Sequence, residues 1–226
     1  MTDEDIFATL KDKLFTAVVG DILDQMGYRT QFLPAGIAPL APGSKLAGRA
    51  MPVLETDIFD DPEAKGRGPL AEKHFGLMLE ALDDLKPGEI YVAAGASPRY
   101  ALWGELMSTR AQHLKANGAL VDGYVRDAGG IRALGFPCFS RGVYAQDQAV
   151  RGKVVDYRTR VEIGGVSIPP GALLFGDDEG VLVIPKEAEE ECIHRALEKA
   201  STENAVAKAI RGGMSASEAF ARFGVM

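Results

Sequence analysis

Ile90-Tyr91-Val92-Ala93-Ala94-Gly95-Ala96, then the run from Gly104 to Asn117, then Gly118-Ala119-Leu120-Val121-Asp122-Gly123 decide the fold of this chain. The first piece is a short apolar run that follows the turn Lys86-Pro87-Gly88-Glu89, the pattern of a buried strand. The middle piece reads as a helix closed by Gly118, and Ala119-Leu120-Val121 as a second buried strand. Strand, helix and strand make a β-α-β unit, whose right-handed crossover sets the two strands parallel. The end of the second strand then lies at the same sheet edge as the start of the helix. Gly104 and Arg126 are expected to meet there, although twenty residues separate Glu105 from Arg126.

Upstream, Thr2 caps a helix over 3–15 in which Ile6, Leu10 and Leu14 share one face. A short helix over 20–26, a Pro/Gly-rich connection over 33–43 and a strand over 45–55 follow. Residues 57–68 carry Asp57, Asp60, Asp61 and Glu63 without apolar period or calcium-loop spacing, so they read as a solvated loop rather than a cation site. A helix is expected over 69–85. Beyond Gly135 the pattern changes to short strands at 136–139, 154–157, 160–163, 166–168, 172–175 and 181–184. Gly164-Gly165 and Asp177-Asp178-Glu179-Gly180 read as hairpin turns. Helices over 185–210 and 215–223 close the chain. Residues 1–226 read as a single domain, with 186–226 as C-terminal helices packing on it or on a neighbouring subunit.

The 226 residues, 46% hydrophobic and 25% charged, suit one domain. Folding a chain of this size buries roughly 70% of its extended surface, so neither metal nor disulfide is needed to hold it together. Twenty-five basic against thirty-two acidic residues give a net charge of −7, which argues against a general nucleic-acid partner. An anionic substrate would have to be drawn in by local cations. Cys138 and Cys192 make no disulfide framework, and Thr2-Asp3-Glu4-Asp5 is acidic where a signal peptide is basic. No apolar run approaches the ~20 residues that span a bilayer. The expectation is a cytoplasmic protein with no membrane partner.

Several chemistries lose their anchors. His74, His113 and His194 are far apart, and neither H-E-x-x-H nor C-x-x-C occurs, which removes the usual zinc sites. The glycines of 129–135 match neither a dinucleotide fingerprint nor a P-loop, and there is no G-x-S-x-G elbow. What remains is the edge of the β-α-β unit. Free N–H groups where Gly104-Glu105-Leu106-Met107 opens a helix form an anion site, and Gly104 lets a ligand approach the backbone. Arg126 offers a planar fork for a carboxylate. Asp127 and Glu105 add hard oxygen donors of the kind Mg2+ or Mn2+ prefers. Together they suit a small carboxylate-bearing substrate chelated to a metal. From spacing alone an equally weighted alternative stands: Arg126 and Asp127 cap the next helix or join a surface ion pair, and Glu105 is a favourable first-turn acid.

Gly104-Glu105-Leu106-Met107, Asp122-Gly123-Tyr124-Val125-Arg126-Asp127, Gly135-Phe136-Pro137-Cys138-Phe139, Pro170-Gly171, Gly176-Asp177 and Gly180-Val181, in that order, resemble the RraA-like family. The similarity runs from Thr16-Ala17-Val18-Val19-Gly20-Asp21 to Pro185. That family includes class II 4-hydroxy-4-methyl-2-oxoglutarate/4-carboxy-4-hydroxy-2-oxoadipate aldolases and regulators of ribonuclease E activity. The aldolases carry D-x20-R-D after the helix-opening glycine, where this chain has E-x20-R-D at Glu105, Arg126 and Asp127.

The resemblance implies that Asp127 anchors Mg2+ or Mn2+, that Arg126 contacts a pyruvyl group, and that the Leu106 and Met107 amides hold its carboxylate. Glu105 stands where the family Asp orients a water of the metal for proton transfer, with one methylene more. The implied reaction releases pyruvate from 4-hydroxy-2-oxo diacids through an enolate, without a lysine Schiff base. Oxaloacetate decarboxylation passes through the same enolate. The departing group would lie toward Pro98, Arg99 and Tyr100, where Arg99 has two readings, a partner for a second carboxylate and an exposed loop arginine. The implied fold is a β/β/α swivelling-type α/β domain with a central mixed sheet or barrel-like β core flanked by helices. It would assemble as a homotrimer or a dimer of trimers, and Glu203 is the candidate acid reaching a neighbour's site. The rival reading is a protein-binding regulator resembling the ribonuclease E regulators. Those keep Arg-Asp but lack the acid after the glycine, so Glu105 tilts this chain toward catalysis.

Overall fold

Strand-forming runs that alternate their buried faces need partners on both sides, and here they find them in one mixed sheet. The structure, a computed structural model, describes residues 1–58 and 68–224. In chain order the elements are α1 (Asp3–Lys13), α2 (Thr16–Gln25), β1 (Ala38–Pro39), β2 (Leu46–Asp57), α3 (Met78–Asp83), β3 (Glu89–Ala94), β4 (Ala101–Trp103), α4 (Glu105–His113), β5 (Gly118–Val121), β6 (Tyr124–Val125) and α5 (Ala128–Leu134). There follow β7 (Cys138–Ser140), β8 (Gly142–Val143), β9 (Gly152–Tyr157), β10 (Val161–Ile163), β11 (Val166–Ile168), β12 (Leu173–Asp177), β13 (Gly180–Ile184), α6 (Glu189–Arg211) and α7 (Ala216–Phe223).

The main sheet has the order β1-β7-β5-β3-β2-β12-β13, with β9 also paired to β2. The expected parallel pair is present: Ile90 of β3 lies opposite Gly118 of β5. Leu33 N donates to Val181 O at 2.9 Å and Val183 N to Gln31 O at 2.9 Å, while β1 pairs with β7. Residues 31–39 thus link the two sheet edges and nearly close a barrel. Along β3 the side chains alternate as strand geometry demands. Ile90 and Val92 join Leu120, Phe139 and the β10–β11 hairpin inside. Tyr91 and Ala93 face the layer that holds α3, α4 and α5. A separate apolar layer packs α1, α2 and α6 against β12 and β13. This barrel-like β core flanked by helices is the architecture the resemblance implied.

Four local expectations need correction. The helix expected over 69–85 is reduced to α3, because residues 75–77 pair with β9: Val154 N donates to Phe75 O at 3.2 Å and Leu77 N to Val154 O at 2.9 Å. Gly76 makes the close approach at φ +64°, where a Cβ would collide with the Val154 carbonyl. Tertiary pairing overrides local propensity here. Second, α2 begins at Thr16 rather than Gly20. The buried Asp177 carboxylate accepts from Thr16 N and Thr16 Oγ1, both at 2.7 Å, and serves the free helix start from 161 residues away. Third, α4 stops at His113, and Lys115 turns to φ 62°. Fourth, β4, β6 and β8 form a small second sheet that the sequence reading did not anticipate. The Gly164-Gly165 and Asp177–Gly180 turns do close antiparallel hairpins. Asp60, Asp61 and Glu63 of the acidic stretch lie outside the described residues. No helix among the described residues is long and apolar enough to cross a membrane.

Candidate active site

The small parallel sheet brings the two halves of the motif together. Ala101 of β4 pairs with Tyr124 of β6, and Tyr124 with Gly142 of β8. Arg126 N donates to Trp103 O at 2.9 Å, fixing the residue before Gly104 to the residue before Asp127. Trp103 is itself anchored: its ring lies 4.9 Å from that of Tyr91, and its Nε1 donates to Ser108 Oγ at 2.7 Å. Ser108 Oγ in turn donates to Gly104 O at 3.1 Å. The first turn of α4 is therefore held rigidly, while no side chain caps its leading amides. Those amides remain available to an anion.

Asp127 has φ 55° and ψ 36°, the left-handed region that costs a non-glycine residue roughly 1–3 kcal/mol and tends to persist at functional positions. It occupies the N-cap position of α5, yet its carboxylate makes no capping bond. Of the alternative reading, the capping half is absent, while its surface ion pair and its first-turn acid, Glu105, are both present. Arg126 Nε lies 3.7 Å from Asp127 Oδ2, and Arg126 Nη1 bonds Asp147 Oδ1 at 2.9 Å. Both carboxylates and the guanidinium remain nearly half exposed, so these pairs hold geometry more than they hold the fold. A Cβ at Gly104 would stand 2.9 Å from Asp127 Oδ2 and 3.6 Å from Arg126 Cγ, so glycine leaves the space these side chains need. Across the corner, Gly130 makes room for Glu105, whose carboxylate lies where a Gly130 Cβ would be. Gly104, Glu105, Arg126 and Asp127 are assembled as expected. Leu106, 83% exposed, and the half-buried Met107 follow on the same helix turn.

Other candidates are placed differently. Tyr100 is buried and donates to Asp57 Oδ1 at 2.8 Å, and Arg99 pairs with Asp57 Oδ2 at 3.0 Å. Despite an opposing push from desolvation, hydrogen bonds from Ser97, Tyr100 and Arg99 bring the Asp57 carboxyl down to about 2. Asp57 therefore orders the 97–100 loop, and the Tyr100 hydroxyl serves it rather than a ligand. Glu203 lies on α6, 3.7 Å from Lys199, in the layer with α1 and α2. Within one chain it is not gathered with Arg126 and Asp127. Both cysteines are free, and burial pushes the Cys138 and Cys192 thiols up to about 12 and about 11, which keeps them unreactive.

Among the described residues no three His, Cys, Asp or Glu side chains gather as a metal cage. The donor set fits a different kind of ion: one or two carboxylates with water completing the shell, the mode of Mg2+. Glu105, Asp127 and Asp147 face two guanidiniums, Arg126 and an Arg151 whose Nη1 donates to Asp147 O at 3.0 Å, at a corner lined by free amides. Asp127, with Glu105 beside it, is the carboxylate that would hold such an ion.

The sequence reading missed Asp147 and Gly130. Asp147 falls in a loop without period, Tyr144 to Arg151, whose position depends on long-range anchors. Gly130 sits in a Gly-Gly pair that matches no nucleotide motif, and the space it leaves for Glu105 is visible only once α4 and α5 are packed together.

A nearly closed barrel with an Arg-Asp pair facing an uncapped helix start after glycine is the arrangement the family comparison can be set against. The RraA-like family model, described as Aldolase/RraA, matches residues 16–183, and the chain belongs to that family. A Halalkalibacterium halodurans protein named "Putative 4-hydroxy-4-methyl-2-oxoglutarate aldolase" is 34% identical over 145 residues, covering 63% of this chain and 68% of that one. Protein DlpA of Legionella pneumophila is 29% identical over 205 residues, 90% of this chain but 31% of the relative, so the chain spans about a third of that protein's length. The crystal structure of Streptomyces coelicolor RraAS2, an unusual member of the RNase ES inhibitor RraA protein family, superposes with a TM-score of 0.75 at 23% identity. It covers 90% of this chain and 96% of that one, and shows the shared fold.

Proposed function

We propose that the chain is a divalent-metal-dependent lyase that releases pyruvate from 4-hydroxy-2-oxo diacids and decarboxylates oxaloacetate. The observation that carries this reading is the convergence of Arg126, Asp127, Glu105 and the uncapped start of α4 on one corner behind Gly104. The family match and the aldolase name of the Halalkalibacterium relative support the same class.

Each part has a role. The Leu106 and Met107 amides would hold the substrate's carboxylate, and the Arg126 fork its 2-oxo end. Breaking the bond beyond the carbon next to the oxo group sends its electron pair into an enolate of pyruvate. In the retro-aldol cleavage the 4-hydroxyl gives its proton to Glu105, directly or through one water, as its carbon becomes a carbonyl. From oxaloacetate the leaving carbon departs as carbon dioxide, and the proton for the enolate carbon comes from water by way of Glu105. Arg126, already fixed through its backbone to Trp103, stabilises the negative charge developing on the enolate oxygen without reorganising. Mg2+ or Mn2+ held at Asp127 would supply further charge stabilisation at that oxygen. Glu105 lies beside the site on the Gly130 side and would return the proton to the enolate carbon, directly or through one water.

A screen of 2-oxo acids without metal, with Mg2+ and with Mn2+, coupled to pyruvate detection, tests the proposal. Metal-dependent pyruvate formation from oxaloacetate or a 4-hydroxy-2-oxo diacid is expected. No turnover of any such acid with either metal would leave the regulator reading in its place.

A further inference from the structure

Arg126 is held by more than its own backbone. Its Nη1 bonds Asp147 Oδ1 at 2.9 Å, and that aspartate comes from a loop tied down on several sides. Tyr144 N donates to Val125 O at 2.9 Å and Ala101 N to Gln146 O at 2.9 Å, so the loop is stitched to β6 and β4, the strands that place Arg126 and Gly104. Next to Asp147, the buried Gln148 donates through Nε2 to Glu55 Oε2 at 2.6 Å, deep in β2. Arg151 N closes on Gln148 O at 2.6 Å, and Arg151 Nη1 donates to Asp147 O at 3.0 Å.

An ion pair nearly half open to water adds little to stability, so the well anchored loop is not explained by the pair's contribution to folding. Its geometric effect is larger. An arginine fork has five N–H donors in one plane, and fixing one nitrogen fixes the direction of the others.

We propose that Asp147 is the positioning residue of Arg126, holding the guanidinium by Nη1 so that its remaining donors meet the substrate without searching. The catalytic consequence rests on the reading of the site given above, while the positioning itself does not. Asp147 touches no reacting atom and works through Arg126 alone.

The test joins two measurements on the full chain. Guanidinium 15N NMR, with the Arg126 signal assigned by its loss in Arg126→Lys, reads rotation about the Cζ–Nη bonds. Kinetics of pyruvate release from oxaloacetate with Mg2+ read the consequence. In the native chain Arg126 rotation should be slow. In Asp147→Asn and Asp147→Ala it should become fast, with an unchanged melting temperature and kcat lowered on the order of ten- to a hundredfold, the scale of an ångström-sized misplacement. Asp147→Glu should recover part of the loss, which a merely structural role would not give. If the native chain releases no pyruvate, the functional reading falls, and slow rotation lost in Asp147→Asn still supports positioning. Arg126 rotation that is equally fast, or equally slow, with and without Asp147 overturns the proposal, as does an unchanged kcat in an active Asp147→Ala.

Discussion

Arg126 and Glu105 illustrate two different demands that one corner makes on single residues. Arg126→Lys keeps the charge but loses the planar fork, and should lower kcat by roughly a hundredfold, about 3 kcal/mol, the usual cost of one preorganised donor to a developing oxyanion. Glu105 can be probed without touching it. Gly130→Ala adds a methyl where the Glu105 carboxylate lies, and the flexible glutamate must move aside. Alanine is also the better helix former by about 1 kcal/mol, so the variant should melt at the same temperature or higher. Exchange of pyruvate methyl protons with D2O should nevertheless slow, as it should in Glu105→Gln. Unchanged exchange in both variants would remove Glu105 from proton transfer. At this scale the sequence was informative because Gly104, Glu105, Arg126 and Asp127 lie on either side of one crossover. Asp147 was not legible, since nothing in Gln146-Asp147-Gln148 signals that Ala101, Val125 and Glu55 hold it in place.

Strands and loops transmit what the buried interior permits, and β2 carries the clearest case. Glu55 is 2% exposed, burial pushes its carboxyl up to about 8, and the hydrogen bond from Gln148 offsets this only in part. Because the folded value lies above the unfolded one, the folded chain holds this proton more tightly. Glu55 therefore favours folding most below about 4.5, and that contribution is lost as pH rises through about 8. Urea unfolding of the native chain should lose about 1.4 kcal/mol per pH unit across that window relative to Glu55→Gln. Parallel pH profiles for the two would show that the carboxyl titrates normally. The same dependence on distant partners explains which elements could be read in advance. The alternation of β3 and the closure of the Asp177–Gly180 hairpin are local, and both were visible. The shortened α3 and the early start of α2 answer to Val154 and Asp177, neither of which is near in sequence.

For the whole molecule, the barrel-like core follows from closure of a sheet whose edges are bridged by residues 31–39, and no local pattern announces that closure. Assembly belongs to this scale too. Leu106, Val143 and Tyr144 are exposed beside the site, at 83%, 56% and 47%, and the expected threefold assembly would give such surface a partner. Light scattering should return a trimer or a hexamer, and a monomer fully active at assay concentration would contradict a site shared between subunits. Titrating Mg2+ into metal-stripped protein reads metal-dependent release of pyruvate at the Arg126–Asp127 corner. Oxaloacetate turnover above its spontaneous rate should appear with Mg2+, vanish in excess EDTA, and be absent in Asp127→Ala at every metal concentration. Full turnover in EDTA, or a lysine adduct trapped by borohydride in the presence of pyruvate, would contradict metal-dependent release.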